Sequence, residues 1–299
     1  MDEGDSFIKM ESIYKNERLS KYSWFNLGGP AKLFYKIHSM EDLKKILKLK
    51  MNNGLNLHIL GAGSNTLFRD GGFNGAVIKL GKEFSFIKLL KDDEIEVGAS
   101  TMDRKISDFA SENSIAGFEF LSCIPGSIGG SIIMNSGCYG EDISKVFLSL
   151  KAMKPDGKIE ILNKENIKFF YRGNNIDKEL IILSTILKGK KSEKNKILDK
   201  KARLIKKKKE SQPSQVKTCG STFKNPENKK AWELIKLSDC LDISVGDASI
   251  SHKHNNFFLN NGSASASDIE SLIKKVQDKV YKKTGTKLEL EIKIIGEFK

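Results

Sequence analysis

Residues 117–140 read Gly-Phe-Glu-Phe-Leu-Ser-Cys-Ile-Pro-Gly-Ser-Ile-Gly-Gly-Ser-Ile-Ile-Met-Asn-Ser-Gly-Cys-Tyr-Gly, and no other stretch so narrows what this chain can become. Apolar residues are interleaved with Gly126, Gly129, Gly130, Gly137 and Gly140 around a single Pro125. The run is too apolar for a solvated loop and too glycine-rich for an ordinary strand or helix. Glycine lacks a Cβ, so its backbone can press flat against a ligand or adopt φ > 0, at an entropic cost that needs some return. A large, planar, partly apolar cofactor supplies such a return. A tightly packed buried turn supplies it too, and this segment alone leaves both open.

A second glycine cluster sharpens the choice. Leu55-Asn56-Leu57-His58-Ile59-Leu60 has the pattern of a short buried strand and runs into Gly61-Ala62-Gly63-Ser64-Asn65-Thr66. Successive N–H groups in such a turn form a concave nest for phosphate oxygens, with the Ser64 and Thr66 hydroxyls as further donors. It is not the Rossmann fingerprint, because Thr66 stands where the third glycine belongs and no helical pattern follows. One loop suited to phosphate and one suited to a ring together point to a dinucleotide.

At 299 residues the chain can bury a substantial core and is expected to form two or three domains. No apolar run approaches the ~20 residues of a membrane span. The acidic start, Met1-Asp2-Glu3-Gly4-Asp5, is unlike a secretory signal or transit peptide. Cys123, Cys138, Cys219 and Cys240 form no C-x-x-C pair, which suits a reduced cytoplasmic protein with free thiols. The net charge of +13 invites a nucleic-acid reading. Against it, the excess gathers in Lys188–Lys209, and no basic stripe is interleaved with aromatics elsewhere. A solvated lysine-rich face is the simpler expectation, and it would still attract anionic substrates.

Spacing predicts a strand over Ala31–Ile37 and a helix over Glu41–Met51, with Ser39 as N-cap and Gly54 as terminator. Strands follow at 55–60, Ala76–Leu80 and Glu94–Ala99, and a helix is expected to begin near Ser100 or Thr101. Val146–Met153 and Lys158–Leu162 form a hairpin about Pro155-Asp156-Gly157, and Leu180–Leu187 is another strand. Beyond a helix from about Lys194 lie a helix over Lys230–Asp239 and strands over Ala248–His252 and Asn256–Leu259. Ser267-Asp268-Ile269-Glu270 reads as a capping box opening an amphipathic helix that Gly285 stops. Alternation over Lys287–Ile294 predicts a final strand with one buried face.

In order along the chain, several of these pieces resemble the UDP-N-acetylenolpyruvoylglucosamine reductases, also called UDP-N-acetylmuramate dehydrogenases. The matching segments are Asn26-Leu27-Gly28-Gly29-Pro30-Ala31, Gly61-Ala62-Gly63-Ser64-Asn65, Ile124-Pro125-Gly126-Ser127-Ile128-Gly129-Gly130 and Met134-Asn135-Ser136-Gly137. Tyr171-Arg172, Cys219-Gly220-Ser221-Thr222-Phe223 and Glu291-Ile292-Lys293-Ile294-Ile295-Gly296 continue the series, so the resemblance covers residues 14–297. It implies an α+β chain with an FAD-binding fold of the vanillyl-alcohol-oxidase type, in two α+β subdomains (1–80 and 81–190). A C-terminal α+β substrate-binding domain (191–299) follows, whose last strand is able to return to the FAD domain. Only the shorter subtype fits, since the extra tyrosine loop of the longer one has no room here. The implied reaction is NADPH-dependent reduction of UDP-N-acetylglucosamine enolpyruvate to UDP-N-acetylmuramate through FAD. That places the protein in peptidoglycan precursor synthesis, and so in cell-wall biogenesis, cell shape and division. A cytoplasmic monomer is expected, with no nucleic-acid or membrane partner.

Reducing an enol ether requires a hydride at one carbon and a proton at its neighbour. By resemblance Ser221 is the proton donor, and a serine hydroxyl can act so only when held close in a polarised site. Arg172 matches the active-site arginine, whose planar fork suits the substrate carboxylate as negative charge grows beside it. Glu291 matches a third position that orients or polarises that carboxylate. Pattern alone puts Glu291 on the solvated face of the last strand. The cofactor is assigned to Gly61, Ala62, Gly63, Ser64, Asn65 and Thr66, and to Pro125, Gly126, Ser127, Gly129, Gly130, Asn135 and Gly137. The substrate is assigned to Tyr171, Asn225 and Lys293, the last standing where the family usually has arginine; Ser211 and Trp232 also depart from the usual pattern. His252 and His254 would share one face of a strand, but nothing nearby supplies further ligands, so no metal is expected. Two other classes stay open on the residues alone: a flavin oxidase of the same fold, and a colourless, basic nucleic-acid-binding protein.

Overall fold

A computed structural model describes residues 13–299, so the acidic start, Met1–Asp5, lies outside the described residues. The chain divides into two compact units, each assembled from separated segments. Among the described residues, the first gathers Ile13–Glu17, Ala31–Gly61 and Gly75–Leu204; the second gathers Arg18–Pro30, Ala62–Asn74 and Ile205–Lys299.

The first unit holds a four-stranded and a five-stranded sheet besides three two-stranded pairs. The four-stranded sheet has the strand order Ile13–Arg18, Pro30–Ile37, Phe73–Leu80, Leu57–Ile59, the last two running parallel with Leu57 opposite Ala76. The five-stranded sheet is antiparallel throughout, in the order Ile159–Asn163, Phe147–Met153, Ile181–Lys188, Glu94–Gly98, Ile87–Leu89. Ile37, Leu43, Ile46, Ile78, Val97, Phe147 and Leu150 belong to one continuous buried core. Helix Met40–Asn53 follows the expected signals: the Ser39 hydroxyl accepts from the Asp42 N–H, and Gly54 closes it at φ 61°. The hairpin turns at Gly157, φ 80°, with Met153 opposite Ile159.

The next helix begins slightly later than expected, at Asp103 rather than near Ser100 or Thr101. The hydroxyls of Ser100 and Thr101 donate to the carbonyls of Gly81 and Phe86 and their N–H groups to those of Phe84 and Gly98, which holds both residues in the preceding turn. Met102 takes the N-cap position with no side-chain cap bond. Helix Lys194–Ser211 forms as read, with Ile197 as its buried residue. Its lysines reach acidic neighbours: Lys200 lies 3.3 Å from Glu119, and Lys201 pairs with Asp108.

In the second unit the helix Ala266–Thr284 buries Ile269, Leu272, Ile273, Val276 and Val280 against Phe223, Ile235 and Phe258 in one core, and Gly285 ends it at φ 66°. The capping box sits two residues earlier than the sequence suggested. Ser265 and Asp268 satisfy one another's N–H groups, while Ser267 donates its hydroxyl to Asp70. The final strand is also shorter than its alternation implied. Only Lys293–Ile295 forms a ladder, parallel to Thr66–Phe68 with Ile294 opposite Leu67. Leu288 and Ile292 still bury their side chains, and before the ladder Leu290 makes an isolated antiparallel bridge with Phe223, so the expected strand is divided between two partners. The ladder Ala248–Ile250 with Phe258–Asn260 stops before His252, so His252 and His254 do not share a strand face. Among the described residues no three His, Cys, Asp or Glu side chains gather as metal ligands, and no helix is long and apolar enough to cross a membrane.

Candidate active site

The glycine-rich segment of the first unit is more regular than expected: it contains a short 3-10 helix, Glu119–Cys123, and an α-helix, Ile128–Ile133. Two adjacent glycines in that helix differ in kind. Gly129 lies against Ala99, donating to its carbonyl at 2.9 Å, and a Cβ there would come within 3.0 Å of the same oxygen. Gly130 is exposed, and a Cβ on it would meet only the Ser127 hydroxyl at 3.7 Å. Packing therefore explains Gly129 and leaves Gly130 unexplained. A backbone kept bare with no protein atom against it fits the close approach of a flat ligand.

Beneath this segment lies Asp103, fully buried. Its Oδ2 accepts from the Ser131 hydroxyl at 2.6 Å, its N–H donates to the Gly126 carbonyl at 3.0 Å, and among the described residues Oδ1 has no hydrogen-bond partner. Burial pushes this carboxyl up to about 7, opposed by the Ser131 hydrogen bond. Pro125 and Ser127 flank Gly126, and Ser127 forms a bridge with Met102. Gly61 belongs to the same neighbourhood, since a Cβ there would come 2.8 Å from the Ser127 Oγ. The ammonium of Lys79 donates to the Gly61 carbonyl at 2.7 Å, and burial together with nearby Lys36 lowers its pKa.

Tyr171 and Arg172 form the two-residue turn of a hairpin in which Phe170 faces Gly173. Arg172 is held at φ 59°, a conformation that disfavours side-chain-bearing residues, and its guanidinium lies 5.0 Å from the Tyr171 ring centroid. Its Nη2 donates to the Gly137 carbonyl at 3.1 Å. Asn135 braces the hairpin: Nδ2 donates to the Phe170 carbonyl and Oδ1 accepts from the Ser144 N–H, both at 3.1 Å. Arg172, Tyr171, Asn135 and Gly137 are thus brought together.

In the second unit the loop 62–66 is pinned from several sides. Gly63 has φ 72°, and a Cβ there would collide with the Tyr22 carbonyl at 1.8 Å. Ala62 and Ser64 flank it, both half-buried. The Asn65 amide donates to the Glu291 carbonyl at 3.1 Å, and the Lys293 N–H returns to the Asn65 carbonyl at 2.9 Å. The Glu291 N–H donates to the Thr222 carbonyl at 2.9 Å, which sets Glu291 beside the segment that carries Ser221. The Cys219 thiol donates to the Thr66 carbonyl at 3.3 Å and is pushed up to about 12 by burial, so it stays a neutral thiol. The Asn225 Oδ1 accepts from the Ala231 N–H at the start of helix Ala231–Leu237. A groove of about 740 Å³ over Lys230, Trp232 and Leu237 is lined by none of Ser221, Asn225, Glu291 or Lys293, and we assign it no chemistry.

Sequence reading passed over Asp103, Lys79 and Asn256, whose contacts support these segments. A lone Asp in a first helical turn, a Lys near the end of an apolar strand and an Asn in a loop are ordinary in sequence. Only burial and hydrogen bonding distinguish them.

Comparison with known proteins adds a consistent set of relatives. Residues 31–163 match the family model described as FAD binding domain, and residues 212–295 match that of the UDP-N-acetylenolpyruvoylglucosamine reductase C-terminal domain. A reductase of that name from Pelagibacter ubique is 48% identical over 280 residues, covering 93% of this chain and 92% of the relative. One from Wolbachia pipientis is 41% identical over 295 residues, covering 98% and 99%. The crystal structure of the UDP-N-acetylenolpyruvylglucosamine reductase from Thermus caldophilus superposes with a TM-score of 0.82 at 30% identity, over 94% of this chain and 97% of the other. The fold is thereby an α+β FAD-binding fold followed by a C-terminal domain.

Proposed function

From the premise that this chain belongs to the UDP-N-acetylenolpyruvoylglucosamine reductase family, we propose how its own residues divide the work. It is an FAD-dependent oxidoreductase that reduces the enolpyruvyl ether of UDP-N-acetylglucosamine, with NADPH as reductant, in peptidoglycan precursor synthesis. FAD, when bound, supplies the hydride chemistry that no side chain can provide. The open backbone at Gly130 and the pinned loop 62–66 fit it, and Gly61 through Thr66 with Pro125, Gly126, Ser127, Gly129 and Gly130 would hold it. Asn135 and Gly137 would complete that set from beneath the Arg172 hairpin. The matched spans, 31–163 and 212–295, support a cofactor part within 1–190 and a substrate part within 191–299, and we divide the cofactor part near residue 80.

The Ser221 hydroxyl delivers the proton to the carbon next to the one that receives hydride. Glu291 keeps the substrate carboxylate oriented, and Arg172 supplies a planar cationic fork for that carboxylate, where negative charge develops. Tyr171, Asn225 and Lys293 hold the UDP-sugar. The single observation carrying this reading is the 2.9 Å bond from the Glu291 N–H to the Thr222 carbonyl, which ties the proton donor's segment to the carboxylate's. A cytoplasmic monomer serving wall growth, and through it cell shape and division, completes the reading; its two reactants are soluble and charged.

The test is a Ser221→Ala protein loaded with flavin. NADPH should bleach its yellow colour at the parental rate, while turnover of the enolpyruvyl sugar falls by about 100-fold or more. Turnover surviving within a few-fold removes Ser221 from the role.

A further inference from the structure

We propose that Asn256 is a positioning residue for Ser221, acting as a side-chain rung that holds residues 221–223 in register. This rests on the reading of Ser221 as the proton donor.

The Asn256 carboxamide is joined at both ends to one residue. Its Oδ1 accepts from the Phe223 N–H at 2.9 Å, and its Nδ2 donates to the Phe223 carbonyl at 2.8 Å. That is the pair of bonds a neighbouring strand would make, supplied by a side chain. The main-chain carbonyl of Asn256 accepts from the Thr222 N–H at 2.8 Å, and Ser221 itself bridges antiparallel to Phe257. Three consecutive residues, Ser221, Thr222 and Phe223, are therefore fastened to the consecutive pair Asn256 and Phe257.

The clamp is dry. Asn256, Thr222 and Phe223 are buried, and the Phe223 ring packs edge-on against Phe258 at 5.7 Å between centroids. In such surroundings neither amide end can exchange its partner for water, so the geometry is held firmly. On the other side of Ser221, Gly220 turns at φ 78°, and the buried Cys219 before it donates its thiol to the Thr66 carbonyl. The Asn256 clamp fixes the chain that leaves Ser221, and so helps set the direction of its hydroxyl. A weak acid such as serine tolerates little misplacement of its proton, which makes that direction consequential.

Asparagine alone meets both demands at this length. Aspartate keeps the shape but in its ionised form cannot donate to the Phe223 carbonyl, so the comparison is made at pH 8 and above, and serine is too short to bridge both groups. The experiment compares Asn256→Asp, Asn256→Ser, Ser221→Ala and the double variant S221A/N256D as flavin-loaded proteins, with the two half-reactions measured separately. Flavin reduction by NADPH should stay within about threefold of the parent in every variant. Single-turnover oxidation of the reduced protein by the enolpyruvyl sugar should slow by about tenfold or more in Asn256→Asp and by less in Asn256→Ser. The change should lie in the rate at saturation rather than in KM. Because Asn256 acts through Ser221, S221A/N256D should be no slower than Ser221→Ala alone.

Slowing of both half-reactions alike, or an Asn256→Asp effect that persists at full size in the Ser221→Ala background, overturns the proposal in favour of a structural role. Failure of both Asn256 variants to give flavin-loaded protein overturns it in the same way. A Ser221→Ala protein that turns over normally discards the proton-donor reading instead, whatever the Asn256 variants do.

Discussion

The Arg172 guanidinium donates to the Gly137 carbonyl at 3.1 Å while its own backbone sits at φ 59°. An arginine in the left-handed region costs about 1 kcal/mol relative to glycine, and its neighbours must hold it there. Glycine would be the easier residue for a two-residue turn; the guanidinium is the reason to keep Arg.

Replacing Arg172 by glycine therefore separates folding from chemistry. The lost Gly137 bond and the relieved backbone strain are of similar size, so unfolding free energy in urea should change by less than about 1 kcal/mol. Turnover of the enolpyruvyl sugar should fall by about 100-fold or more. An equally active Arg172→Gly protein would show that the strained residue has no part in the reaction.

Gly130 offers the reverse experiment. It lies inside a helix, exposed, with room for a methyl group. Alanine should leave the flavin-free protein as stable or more stable, by up to about 1 kcal/mol, because glycine is the poorer helix former. Titration with FAD, followed by fluorescence quenching, should show affinity weakened by about tenfold or more. Unchanged affinity means that no ligand approaches that backbone. Gly129→Ala serves as contrast and should destabilise the protein itself, since its Cβ would press on the Ala99 carbonyl.

Asp103 sets a pH dependence. Its carboxyl is raised from the ordinary 3.8 to about 7 by burial. Between those values the unfolded chain releases the proton while the folded chain retains it, so stability falls as pH rises from about 4 to about 7 and levels off above. The full effect is at most about 4 kcal/mol. Asp103→Asn carries no proton to lose and keeps the shape. Urea midpoints of variant and parent should diverge in the variant's favour from pH 5 to pH 8. Parallel midpoints across that range would mean that Asp103 is charged in the folded protein.

Much of this architecture was legible in the residues alone because it depends on local chemistry. Ser39 and Gly54 bound their helix through a hydroxyl and a left-handed glycine, and Gly157 makes its hairpin for the same kind of reason. The 3.6-residue spacing of Ile269, Leu272, Ile273 and Val276 marked the face that is buried. Where a cap had competitors, the sequence misled. Ser267 resembled an N-cap, but the hydroxyl that accepts from the Asp268 N–H is that of Ser265, while Ser267 donates to the distant Asp70; likewise Met102, not Ser100, precedes its helix.

Sequence by itself determined the two glycine segments, the class of cofactor they suit and the order of motifs that mark the family. It could not distinguish Gly129 from Gly130, because that difference lies in whether Ala99 occupies the space where a Cβ would go. Nor could it lift Asn256 above any other loop asparagine, since its two bonds to Phe223 span 33 positions. Only tertiary structure decided these. Burial and long-range hydrogen bonding depend on which distant segments the fold brings into contact, and a residue's local neighbours in the chain carry no record of that.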